Sequence, residues 1–144
     1  MPAEFQKMGI SFLYPDNWTL DEDDALAGRK SVTVYSPGGA FWSVSLHPTS
    51  TDPTQLAQAA VEVMRGEYPA MEADEARESM VGHELVGYDL GFYCLDMTNT
   101  AAIRCLRGVR TTLTIFYQAE DREFSRIEQV FRAMTTSLLN GIDL

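Results

Sequence analysis

The chain has 144 residues, 45% of them apolar and 22% charged, with a formal net charge of −10; that is the size and make-up of one globular domain, residues 1–144, able to bury a core without disulfides or metal. The acidic excess repels phosphate backbones and anionic headgroups, so nucleic acid and membrane surfaces are poor candidates as partners. No apolar run reaches the roughly 20 residues of a membrane span. The start, Met1-Pro-Ala-Glu-Phe-Gln-Lys7, lacks the basic-then-apolar layout of a secretory signal, so a cytoplasmic chain is expected, although one already relieved of a leader would read the same way.

Ile10–Tyr14 reads as a short strand, followed by a Pro15-Asp16-Asn17 turn in which proline presets the backbone and Asp/Asn bond neighbouring backbone groups. Trp18 is expected to lock that turn against the core. The acidic run Asp21–Asp24 lacks the spacing, central glycine and distal glutamate of a calcium loop, and reads as solvated. Ser31–Ser36 and Phe41–Pro48 are strands around the turn Pro37-Gly38-Gly39, with Val32, Val34, Trp42, Val44 and Leu46 on one face.

Thr51 or Asp52 caps a helix with Pro53 at its first position, where the missing N–H costs nothing. Leu56, Ala59, Ala60, Val63 and Met64 form its apolar stripe, and Gly66 and Pro69 end it. Met71–Met80, rich in carboxylates, is expected as a sheet-edge strand.

From His83 to Ala119 aromatic and branched residues nearly alternate, the period-two pattern of strands. Three long strands with short links must run antiparallel, because parallel neighbours need a long crossover. We place the first link at Thr98-Asn99-Thr100 and the second near Arg110. That pairing sets Cys94 opposite Cys105, or diagonal to it, which leaves two readings: buried thiols, which is favoured, or a cross-strand disulfide in an oxidising compartment. A last helix, capped by Asp121, carries Phe124, Ile127, Phe131, Met134 and Leu138 on one stripe and stops at Asn140-Gly141. The order argues an α+β fold, an antiparallel sheet of about six or seven strands with two amphipathic helices.

The opening Gly9-Ile-Ser-Phe-Leu-Tyr-Pro-Asp-Asn-Trp18, the hairpin with Ser43-Val-Ser-Leu46, the helix at Asp52-Pro53, the meander and the closing helix together resemble the PsbP-like superfamily. That group takes in photosystem-two extrinsic proteins, a Ran-binding import factor and bacterial chaperones of secreted effectors. The resemblance is most specific at the strand-Pro-Asp-x-Trp opening. It implies an α/β/α sandwich that binds other proteins rather than catalyses, and brings no shared active-site motif.

The residues themselves supply no assembled chemistry. His47 and His83 are not in metal-ligand spacing, the cysteines form no Cys-x-x-Cys pair, and no phosphate-binding or nucleophile-elbow motif occurs; neither metal nor cofactor is expected. A Cys–His nucleophile would need Cys94 to meet a histidine in space. Gly87 and Gly91 read as strand kinks or close-packing sites.

One face of the meander, with Val86, Tyr88, Leu90, Phe92, Cys94, Ile103, Cys105, Val109, Leu113, Ile115 and Tyr117, reads as core. The other is mixed. A sandwich requires a helix over it, and the functional reading leaves part open as a groove. Tyr93, Phe116 and Phe41 are then its aromatic anchors and Asp89, Arg104 and His47 its polar contacts. The expectation is a non-enzymatic interaction module, an adaptor or chaperone-like protein that binds another protein or a second copy of itself. The alternative is a small-ligand binder with a pocket between sheet and helix.

Overall fold

The computed structural model describes residues 2–22 and 30–142. Asp23 and Asp24, part of the acidic run read above as solvated, lie outside them. Among the described residues nine strands and two helices run in the order β1 (Pro2–Lys7), β2 (Ile10–Pro15), β3 (Thr19–Asp21), β4 (Ser31–Tyr35), β5 (Phe41–Pro48), α1 (Pro53–Glu67), β6 (Glu72–Met80), β7 (His83–Cys94), β8 (Met97–Arg107), β9 (Thr111–Glu120) and α2 (Asp121–Asn140). The fold is α+β: an antiparallel seven-stranded sheet, β3-β4-β5-β9-β8-β7-β6, and a separate β1–β2 hairpin.

The large sheet separates two cores. On one side Val34, Trp42, Val44, Leu113 and Ile115 pack under Phe131, Met134 and Leu138 of α2, and the β1–β2 hairpin adds Phe5, Ile10 and Phe12. Trp42 is fully buried, and its Nε1–H is satisfied by Thr135 Oγ1 at 3.1 Å. Trp18 packs edge-on against Phe131, with ring centroids 6.0 Å apart, and its N–H closes the turn onto Pro15 at 3.0 Å. On the other side Ala57 and Val61 of α1 pack on Leu90, Phe92, Ala101, Ile103 and Cys105.

Several expectations need correction. β1 and β3 bring the strands before the first helix to five, where three were expected; β1 alternates weakly in sequence and becomes a strand by pairing with β2. Leu56, Ala60 and Met64 of the expected α1 stripe pack on the sheet, but Ala57 and Val61 complete it, while Val63 is 71% exposed and Ala59 faces solvent. Asp52 does cap it, accepting from Gln55 N at 3.1 Å. The cap of α2 is Glu120, whose carboxylate accepts from the N–H groups of Arg122 and Glu123; Asp121 instead accepts from Thr100 Oγ1 at 2.7 Å. Val109, expected in the core, is 66% exposed in the β8–β9 turn.

The largest correction is to the meander. β7 and β8 are joined by Leu95-Asp96, both left-handed (φ 52° and 61°), and Thr98-Asn99-Thr100 is strand. Two residues with positive φ match the twist of the flanking strands, but a turn of this kind ordinarily shows itself by Asn-Gly or Asp-Gly. Cys94 therefore pairs with Met97 and Cys105 with Val86, eight ladder positions apart or about 26 Å along the strand. Both cysteines are free thiols, and the disulfide reading falls.

Candidate functional site

β8 and β9 are in the register Ile103↔Phe116 and Arg104↔Ile115. Four residues, Gly108 to Thr111, separate Arg107 from its partner Thr112, where a link of one residue more would have paired Arg104 with Phe116. Shifting a register by one residue carries a whole strand's side chains to the other face. The six residues expected to form one groove are consequently divided. Phe41, His47 and Phe116 share the α1 side of the sheet, and Asp89, Tyr93 and Arg104 share the α2 side.

On the α2 side Arg104 is a structural residue. It is 7% exposed and every nitrogen is engaged: Nε on Glu78 and Nη2 on Asp89, both at 2.7 Å, and Nη1 on the carbonyls of Tyr88 and Ile103 at 3.1 and 3.0 Å. Arg132 of α2 adds a 3.3 Å ion pair to Glu78. Burial alone would push the Glu78 carboxyl up, but hydrogen bonds and charge from Arg104, then Arg132, outweigh it and hold the group below the usual carboxylate range. Gly87 lies opposite Arg104, and a Cβ there would strike the Ile103 carbonyl, so close packing requires this glycine. Tyr93, 73% exposed, stands by the hairpin tip with Leu95 at 86%.

On the other side α1 packs over β7, β8 and β9, and the loop at Thr51 closes the His47 end, its carbonyl accepting from Thr112 Oγ1 at 3.0 Å and Arg107 Nη2 at 3.1 Å. Beyond these the described helices leave the sheet surface uncovered. Phe41 stacks on Phe116 with centroids 5.6 Å apart and meets Tyr35 at 6.0 Å; Tyr35 is 40% exposed and Phe41 and Phe116 are half-buried. The register surrounds this aromatic row with Ser31 and Thr33 of β4, Ser43 and Ser45 of β5, and Thr114 and Gln118 of β9. None of these residues carries formal charge, in a chain of which 22% is charged. A flat face of rings and hydroxyls pays little desolvation when covered, since few ions must be stripped of water.

His47, at the margin of this surface, has its pKa lowered by burial. Its Nε2 lies 3.3 Å from Thr114 Oγ1, which in turn accepts from Cys105 Sγ at 3.6 Å. The Cys105–Thr114–His47 contacts do not activate the Cys105 thiol: a hydroxyl separates it from the imidazole, Cys105 is fully buried, and burial raises its pKa. Among the described residues no cluster of three or more His, Cys, Asp or Glu has the arrangement of a metal site, and no helix is long and apolar enough to cross a membrane. Tyr35 escaped the sequence reading. The signal was present, because it mirrors Phe41 across the Ser36–Ala40 turn.

No family model matches the chain and no curated protein does. Solved structures do. A cyanobacterial PsbP (CyanoP) from Synechocystis sp. PCC 6803 is similar at a TM-score of 0.64 and 12% identity, over 94% of this chain and 90% of that one. The Saccharomyces cerevisiae Ran-binding protein Mog1p is similar at 0.56 and 14%, over 99% and 92%. A Pseudomonas aeruginosa protein of unknown function, described as a putative regulator, is similar at 0.58 and 12%, over 95% of each chain. The chain thus has the PsbP-like fold. At these identities the likeness extends to fold alone.

Proposed function

We propose that this protein is a non-catalytic interaction module whose open β4–β5–β9 face receives another protein, with Tyr35, Phe41 and Phe116 as anchors. The observation that carries the reading is the aromatic, half-open β4–β5–β9 surface, whose own residues carry no formal charge and which Asp21 of β3 borders beside Thr33, on a strongly acidic chain. Aromatic side chains at the centre of an interface contribute most of its affinity. A partner with an apolar patch in a basic surround suits this surface: the patch covers the rings and the surround is drawn by the charge of −10. One protein of the same fold, Mog1p, is described as Ran-binding, which agrees with a binding role while leaving this chain's partner open.

The test is native mass spectrometry of the protein purified from its own source, wild type beside F41A/F116A. The reading expects a second protein in whole-number ratio with the wild type, lost from the double variant while Tyr93→Ala keeps it. Loss in Tyr93→Ala with retention in the double variant would contradict it and move the interface to the hairpin tip. A homodimer that survives F41A/F116A would also contradict it.

A further inference from the structure

At the end of the sheet opposite the β7–β8 hairpin, the Met8–Gly9 turn, the end of β5, the β8–β9 turn and the C-terminal end of α2 enclose a cavity of about 610 Å³. That is within the size range of small-molecule sites, which combine apolar walls with a few placed polar groups. Ile10, Leu46 and Leu113 form much of the wall, with Met8 and Ile142 completing it. Among the described residues no Asp or Glu lines it, although the chain has 21 acidic residues against 11 basic. Its charged lining residues are Lys30 and Arg110, both exposed. The bond from Leu46 N to Lys30 O, 2.8 Å, sets Lys30 beside the apolar wall. Neither cation has an ion-pair partner among the described residues.

We infer that this cavity binds a small amphiphilic anion, an apolar tail bearing one carboxylate, with the tail on Ile10, Leu46 and Leu113 and the head between Lys30 and Arg110. Two cations with no ion-pair partner among the described residues, at the edge of an apolar cavity, match such a molecule at both ends. They offset the partial negative charge of the α2 C-terminus, which has no basic residue in its last turn and would otherwise repel an anion. The inference stands apart from the interaction reading, since it uses none of the three aromatic anchors.

Decanoate is the probe, with 1-decanol as the tail without the charge, each added to ¹⁵N-labelled protein and followed by amide chemical shifts. The inference expects saturable one-to-one binding of decanoate with shifts centred on Met8, Leu46, Val109 and Ile142, and decanol weaker by about fivefold or more. K30E/R110E changes two exposed residues, and should bind decanoate about tenfold or more weakly with its spectrum otherwise folded. Unsaturable binding, shifts on the aromatic face, equal affinity for decanol, or undiminished binding by K30E/R110E would each overturn it. A charge-reversed protein that only melts lower, with no decanoate binding in either form, would assign the cations to the helix terminus and also overturn it.

Discussion

Two halves of one sheet face, built from different strands of the same sheet and facing the same way, end differently. Over β7 and β8 the residues are Leu90, Phe92, Ala101, Ile103 and Cys105, and α1 buries them. Over β4 and β5 they are Ser31, Thr33, Ser43 and Ser45 with Tyr35 and Phe41, and the helix stops short. Aliphatic side chains repay a covering helix at roughly 25 cal/mol per Å² of apolar area removed from water. Serine and threonine return little of this and would lose water from their hydroxyls. A helix thus goes where the branched residues are and leaves a flat surface where they are not. Among the described residues no helix lies over the aromatic rings left there.

The comparison can be broken most forcefully from the covered side. Phe92 is 5% exposed and packs on Tyr68 with centroids 4.4 Å apart, so Phe92→Ala should cost about 3–5 kcal/mol in denaturant unfolding. On the open side F41A/F116A should lower partner affinity about 100-fold or more, while the unfolding free energy changes far less than in Phe92→Ala. Equal losses of stability in the two variants would mean that the halves do not differ as described.

The reverse of the sheet offers a contrast in charge. Because the Glu78 carboxyl is held low in the folded state, its ionisation contributes stability above the unfolded carboxylate value, lost as pH falls through the folded one. Glu78→Gln should therefore be less stable than wild type at pH 7, with the difference shrinking below about pH 4.5. A pH-independent difference in urea unfolding would place the effect in packing. The smallest expected effect is at the cap of the covering helix: Asp52→Ala should cost about 1 kcal/mol, and hydrogen exchange should quicken in the first turn of α1 while the amides of β4 stay as they were.

The sequence showed the layers more clearly than the registers. Alternation in the meander, the Pro53 helix start, the Pro15–Asn17 turn and the acidic edge strand β6 follow from local chemistry, and each stands where expected. The division of the site arose where two turns hide from local chemistry. Leu95-Asp96 bends the chain without a glycine, while the polar Thr98-Asn99-Thr100 resembles a turn and is strand. In the β8–β9 link, one residue decides on which face Phe116 stands relative to Arg104. Only long-range pairing chooses between such registers, so residues of two faces read as one. Arg104 shows the same limit, because its ion pairs to Glu78 and Asp89 depend on which strands become neighbours.

The account turns on whether the bare half of the sheet is where a partner sits. Radical footprinting of the protein alone and with its co-purified partner reads that directly through side-chain labelling. The account predicts that Tyr35, Phe41 and Phe116 lose labelling in the complex while Tyr93 and Leu95 keep theirs. Undiminished labelling of the three aromatic residues, with protection at Tyr93 and Leu95, would contradict it.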